Sequence, residues 1–333
     1  MTKRFVLVSI ILIAAMVFMF GCGGKDDSKT DVKDTFKVAL LLPGTVDDQG
    51  WNALAYEGLK RIESELGAEI AFMEQVAPSD IEQVFRGYAL EGYDLIYGHG
   101  FEFGDGAMKV AQDFPDVKFI VTSTTIYQSP NVASLQNNNQ ETGFLAGVMA
   151  GLLTESNYVG SIAGMEIPSI SDFQEGFVKG VKYVNKDAKA VTTFIGNFDD
   201  AATAKEMALS MISQGADVLT HAANQAGLGV IEAARENNVY TIGSYGDQSV
   251  LSPDTIVVSI LNDMAEAMVV SAKKTLEGNF EAKHYLLGVA EGSVGLSSFH
   301  GWEKKLDQEI IDKVKEIETK LANKEIDVLS LPK

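Results

Sequence analysis

Between residues 36 and 296 the chain alternates short apolar runs with segments of helical periodicity, and it does so in two successive series. Residues 37–42 are an apolar run that stops at Pro43-Gly44. The next segment, 51–66, places Leu54, Ala55, Leu59, Ile62 and Leu66 at helical spacing and ends at Gly67. Strands are predicted next over 70–73, 94–97, 118–121 and 132–136, with helices over 79–91 and 106–113. The pattern then restarts with helix 141–153, strand 158–163, helix 172–183, strand 190–195 and helix 201–214. Strand 217–221, helix 228–237 and strands 239–242 and 255–259 follow. Helices over 263–276 and 302–323 flank a last strand at 285–290. Strands that are apolar on both faces and alternate with helices specify parallel sheets covered by helices on both sides. Two such series predict an α/β protein of two doubly wound lobes. The expected division is 36–137 plus 260–284 for the first lobe and 138–259 plus 285–333 for the second, with the chain crossing near Gln136, Ser259 and Leu286. A cleft then opens between the C-terminal strand ends of both sheets, where open α/β sheets bind ligands.

The N-terminus has a different character. Lys3 and Arg4 precede an apolar run over 5–20, then Gly21-Cys22-Gly23-Gly24 and a polar, charged stretch. A cationic start, an apolar segment and a small residue at the cleavage point read as a secretory signal over 1–21, too short for a comfortable membrane span of roughly 20 residues. Residues 22–35 read as a flexible tether. Cys22 is the only cysteine in the chain. Met19-Phe20-Gly21-Cys22 resembles a bacterial lipobox, which implies that Cys22 is lipidated and becomes the first residue of an exported protein. That protein would be held at the outer face of the cytoplasmic membrane or in the periplasm. An uncut anchor, or a free thiol beside an ordinary cleavage site, is the alternative.

Composition narrows the function classes. Removing 1–21 takes away two basic and no acidic residues, leaving 25 basic against 46 acidic, a net charge of −21. So acidic a surface disfavours nucleic acid and anionic headgroups as partners. A single cysteine excludes a disulfide framework and a cysteine zinc site, and the four histidines are too scattered in sequence to suggest a metal cluster. No cofactor or metal is expected.

Several motifs, in order, resemble the basic membrane protein family, lipoproteins similar to purine nucleoside receptor A. They are the opening strand with Asp47-Asp48-Gln49-Gly50-Trp51-Asn52, then Phe114-Pro115-Asp116, Glu141-Thr142-Gly143-Phe144 and Phe173-Gln174-Glu175-Gly176. Gly196-Asn197-Phe198-Asp199-Asp200, Gln214-Gly215-Ala216-Asp217 and Ile242-Gly243 complete the series. The resemblance implies a type I periplasmic-binding-protein fold with a hinged cleft and a monomeric substrate-binding protein serving an ABC permease. It also implies a purine nucleoside whose base lies between two aromatics, here Trp51 and Phe198. The chain departs from the family at two places. Tyr245 stands where nucleoside-binding members carry a ribose-binding aspartate, and Asn262 where they carry a lysine. Loss of both sugar-binding groups fits a free nucleobase, although Tyr245 and Asn262 could bond a sugar in another geometry.

Other candidate contacts follow from residue chemistry. Asp48 and Asn52 stand beside Trp51, and Asp48 serves equally well as a helix cap. Phe101 lies in a Gly-rich loop after a strand. Asn139 ends the run Gln136-Asn137-Asn138-Asn139, whose amides suit a nucleobase edge or a turn. His221 and Asn224 end a strand, and Asp247 follows Tyr245. Asp172 and Asp200 read as helix caps. Two other functions use the same cleft: a sensor lipoprotein reporting to a membrane receptor, and a nucleoside hydrolase. The hydrolase would need clustered aspartates or a poised acid–base pair, for which only Asp47-Asp48 and Asp199-Asp200 are available.

Overall fold

The computed structural model describes residues 35–332 apart from Gln49; the signal, the tether to Asp34 and Cys22 lie outside the described residues. The first series forms β1 (Lys37–Leu41), α1 (Trp51–Leu66), β2 (Glu69–Met73), α2 (Ile81–Leu90), β3 (Leu95–Gly98), α3 (Gly104–Ala111), β4 (Lys118–Thr122) and β5 (Val132–Asn137). The second forms α4 (Asn139–Leu153), β6 (Tyr158–Ala163), α5 (Pro168–Val184), β7 (Lys189–Phe194), α6 (Ala201–Ser213), β8 (Val218–Ala222), α7 (Gly227–Asn237), β9 (Tyr240–Tyr245) and β10 (Ile256–Asn262). The chain ends with α8 (Met264–Leu276), β11 (His284–Leu287), β12 (Val294–Leu296) and α9 (Gln308–Ala322).

Two six-stranded sheets result, ordered β11-β5-β4-β3-β1-β2 and β12-β10-β9-β8-β6-β7. Every pairing is parallel except β10 with β12. Strand order reverses at β1/β3 in the first sheet and at β6/β8 in the second, the switch points where loops part and leave a crevice. Strand interiors such as Val38, Leu40, Leu95 and Val218 are fully buried, because helices cover both faces.

Helix α4 is apolar almost all round and lies against α5. A Cβ on Gly147 would lie 2.1 Å from the Phe177 carbonyl oxygen, and one on Gly180 2.1 Å from that of Phe144. The two backbones therefore touch, and no side chain fits between them.

The crossings between lobes fall at Asn138, Asp263 and 288–293. Asn138 and Asp263 each cap the helix that follows, accepting from the N–H of Glu141 (3.3 Å) and Glu266 (2.8 Å). The Ser293 hydroxyl is shared between Asn137 Oδ1 (3.0 Å) and the Asp263 carbonyl (3.2 Å), so one side chain ties all three crossings together. Strand β10 runs three residues beyond the expected end at Ser259, because Ile260–Asn262 pair with β12. Strand β11 pairs in the first sheet, beside β5, so 285–287 go with the first lobe and 260–262 with the second, the reverse of the expected division at both borders.

Two expectations are corrected. Helix α5 starts at Pro168, whose fixed φ suits a first helical position, so Asp172 lies inside the helix and accepts from Gln140 Nε2 (3.3 Å) instead of capping. The expected helix 302–323 is interrupted. Trp302–Lys304 is a 3-10 turn pinned by Trp302 Nε1 donating to the Pro253 carbonyl (3.1 Å), and α9 begins at Gln308.

Candidate functional site

The loop between β1 and α1 is organised by one carboxylate. Asp48 Oδ1 accepts from the N–H groups of Gly50 (2.9 Å) and Ala53 (3.0 Å), and Oδ2 from the N–H (3.0 Å) and Nδ2 (2.8 Å) of Asn52. These are the free donors of a helix start. Burial acts to raise the Asp48 pKa, but the bonds from Ala53, Asn52 and Gly50 outweigh it and hold the carboxyl below its ordinary value. Asp48 thus shapes the loop and does not line the cavity beside it.

Trp51 opens α1, and its ring stacks on His99 with centroids 3.7 Å apart and planes 29° apart. His99 follows β3 and is fully buried. Its Nε2 lies 3.1 Å from the Trp51 carbonyl, which can only accept, so Nε2 carries the proton and Nδ1 accepts from the Thr122 hydroxyl (2.9 Å). Burial pushes its pKa down to about 3, keeping the ring neutral. A neutral imidazole, bonded at both nitrogens, fixes the indole from beneath.

In the second lobe, Asn197 Oδ1 takes the N–H groups of Asp199 (3.0 Å) and Asp200 (2.8 Å), and Asp200 caps α6 through the N–H of Thr203 (2.9 Å). This turn presents Phe198, whose ring closes over Gly164; a Cβ there would meet Phe198 Cδ1 at 2.3 Å. At the end of β9, Tyr245 takes a left-handed φ of 71° and its hydroxyl accepts from the Asn224 N–H (3.4 Å). Burial pushes the Tyr245 pKa to about 12.

Asn224 joins the lobes. Its Oδ1 accepts from the Trp51 N–H (3.1 Å) and its Nδ2 donates to Asp48 Oδ2 (3.3 Å). Gly50 lies beneath it; a Cβ there would lie 2.4 Å from Asn224 Oδ1, so any side chain would displace the amide.

These loops enclose a cavity of about 220 Å³. Of the residues singled out in the sequence, Trp51, Asn52, Phe101, Asn139, Phe198, Asn224 and Tyr245 line it. Asp48, His221 and Asp247 do not. His221 is fully buried behind Tyr245, its Nε2 donating to Gln248 Oε1 (3.0 Å) and its pKa lowered to about 4 by burial. It is a core histidine. Asp247 turns outward to pair with His300 Nε2 (2.5 Å) and to accept from the Ser249 N–H (3.0 Å).

Asn52 and Asn137, both lining residues, each hold one buried amide atom with no hydrogen-bond partner among the described residues: Asn52 Oδ1, an acceptor, and Asn137 Nδ2, a donor. Buried polar groups are nearly always bonded, so an unpaired acceptor and donor on two residues of the wall become available to a ligand edge carrying the complementary pair if their amides turn toward the cavity. Sequence reasoning missed His99 as the support of Trp51, and Glu102, Ile167, Ile170 and Met264 in the wall. The parallel register was the available signal, because β3 and β1 are neighbours and their ends must meet. Among the described residues no group of three or more His, Cys, Asp or Glu side chains could hold a metal ion, and no helix is long and apolar enough to cross a membrane.

Residues 35–331 match the family model described as ABC transporter substrate-binding protein PnrA-like. The chain is 31% identical over 331 residues to basic membrane protein A of Borreliella burgdorferi, covering 97% of this chain and 95% of that protein. It is 30% identical over 304 residues to the ABC transporter nucleoside-binding protein BmpA of Lactococcus lactis subsp. cremoris, covering 84% and 87%. The crystal structure of an ABC transporter solute-binding protein from Aeropyrum pernix matches with a TM-score of 0.77 at 26% identity, covering 88% of this chain and 92% of that one. The family model spans nearly all of the two doubly wound lobes, and this chain belongs to the Bmp family of PnrA-like ABC transporter substrate-binding proteins.

Proposed function

We propose that the chain is the lipid-anchored solute-binding protein of an ABC importer and holds a purine nucleobase or nucleoside between Trp51 and Phe198. One observation carries the reading: an indole from the first lobe and a phenyl ring from the second line the same cavity, whose wall also includes the amide side chains of Asn52 and Asn137. A flat heterocycle buries both faces against such rings, each aromatic contact contributing about 1 kcal/mol beyond area burial. Its edge then bonds the amides. A volume near 220 Å³ is below the ~300 Å³ floor of common ligand pockets, which favours a small ligand over an oligosaccharide or peptide. Tyr245 and Asn262 in place of the family's sugar-binding aspartate and lysine favour a base, while a relative named as a nucleoside-binding protein favours the nucleoside. In this reading the monomer is exported, acylated at Cys22, hinged at its three crossings, and passes its ligand to a membrane permease without turning it over.

Calorimetry of the full chain in neutral detergent against adenine, hypoxanthine, adenosine, guanosine and riboflavin tests the proposal. A purine is expected to bind at micromolar concentration or better, weakened at least tenfold by Trp51→Ala or Phe198→Ala. Binding of another class alone, with every purine failing at millimolar concentration, would end the stacking assignment. Release of free base from adenosine would instead favour a hydrolase, and loss of membrane association in Cys22→Ser checks the anchor.

A further inference from the structure

Among the described residues that line the cavity, none is a lysine, arginine or histidine, and the charged ones are Glu102 and Asp199. Asp199 is exposed, whereas Glu102 is half-buried in the turn between β3 and α3. The Glu102 carboxylate folds back over Gly100, which takes a φ of 140° there, and its only bond among the described residues is to its own backbone N–H. Burial raises its pKa with no neighbouring cation to oppose the effect. Nothing in the architecture of the lobe needs this carboxylate: it caps no helix and ties no loop, in contrast to Asp48. An acidic side chain whose one bond is to its own N–H loses still more water when a ligand enters. That loss is offset only if the ligand brings donors.

We propose that Glu102 is a specificity-determining residue whose carboxylate takes O–H or N–H donors of an uncharged ligand and turns away phosphorylated or carboxylated forms of it. The choice of probes rests on the purine reading above; the role of Glu102 does not. An anionic group against Glu102 would meet a second negative charge with no cation in the wall to compensate. A hydroxyl pair or an amine would complete a charge-assisted bond, worth roughly ten- to hundredfold in affinity. The two donor sources, the sugar diol and the base amine, share this chemistry and can be told apart.

The experiment compares wild type with Glu102→Gln by calorimetry on the full chain, with adenosine, 2′,3′-dideoxyadenosine, adenine, adenosine monophosphate and riboflavin. The substitution is isosteric, and the glutamine Oε1 can still accept from the residue's own N–H, so an unchanged melting temperature checks the fold. Wild type is expected to reject the monophosphate at least tenfold against adenosine. Glu102→Gln is expected to lose ten- to hundredfold for ligands bearing the donor and to narrow the gap to the monophosphate. A loss for adenosine but not for the dideoxy analogue assigns the diol; a loss for both, and for adenine, assigns the amine. If the variant binds every ligand within twofold of wild type, or wild type accepts the monophosphate as well as adenosine, the inference is overturned and the stacking reading survives. If riboflavin alone binds, the stacking reading falls and the same wild-type to variant ratio still judges Glu102. If nothing binds, both fall.

Discussion

Lowering the pH from 7 to 5 is expected to destabilise this protein through two buried histidines. His99 and His221 are fully buried, with pKa values pushed down to about 3 and about 4 from an ordinary 6.5. In both cases desolvation of the charged form is the main cause. A depressed histidine pKa means the unfolded chain binds protons first. Stability is therefore full above pH 6.5 and falls as pH drops through the window between the unfolded and folded values. Each histidine then costs about 1.4 kcal/mol per pH unit, or about 2 kcal/mol at pH 5, and the pair about 4 kcal/mol. That is a large share of a typical 5–15 kcal/mol. Glu102, Glu141 and Glu318, whose pKa values burial raises, act in the opposite sense. Comparison with His221→Gln isolates the histidine contribution, since glutamine can still donate to Gln248. Urea unfolding at pH 7, 6 and 5 is the assay, and the variant is expected to lose about half as much stability as wild type over that range. Proton NMR should show neither buried ring titrating above pH 5. A variant whose stability falls as steeply as wild type, or a buried ring that titrates near 6.5, would refute the reasoning.

Asn224→Ala removes the amide that bonds both Trp51 N–H and Asp48 across the cleft. Ligand affinity is expected to fall roughly tenfold, mostly through faster dissociation in stopped-flow, because about 1–2 kcal/mol of hydrogen bonding stabilises the closed arrangement; an unchanged dissociation rate would count against that role. Gly147→Ala places a methyl group 2.1 Å from the Phe177 carbonyl oxygen, so α4 and α5 must part. A loss of about 1–3 kcal/mol or more in urea unfolding is expected, and a neutral result would contradict the close approach of the two helices.

The architecture was legible because parallel strands buried on both faces read as unbroken apolar runs, as in Val38–Leu42 and Leu95–Tyr97, separated by segments of helical period. Element ends were harder. Asp172 resembles a cap in sequence, yet Pro168 starts the helix a turn earlier, and α9 is cut off from Trp302 by a local turn. In the site, residue type identified the rings and amides that line the cavity, since an indole on a loop tip or a run of asparagines is conspicuous. Direction was not written in the residues. His99 just after β3 and His221 near the end of β8 are equally buried, but β3 lies beside β1, which puts His99 under Trp51, whereas His221 packs against Gly227 behind Tyr245. Asp48 and Asp247 both sit in loops by the cleft, but one meets a helix start and the other His300.

If the ligand sits between Trp51 and Phe198 as proposed, the helix start at Trp51 would couple lobe closure to binding without a mobile lid. The first turn of α1 has more free N–H groups than its own loop can satisfy. Asp48 takes those of Asn52 and Ala53, while that of Trp51 goes to Asn224 in the other lobe. The second lobe therefore completes a cap that the first begins. Apart, both partners return to water and lose little, because the net value of one such bond is about 1 kcal/mol. The closed form is then accessible but weakly favoured, and a ligand that touches Trp51 and Phe198 at once binds only that form. Its affinity for the closed state over the open one sets the shift in population. On the proposed reading Trp51 would serve twice: its indole would meet the ligand, while its backbone N–H meets the opposing lobe. Closing the gap and covering the ring are one event, with His99 holding the indole in place beforehand.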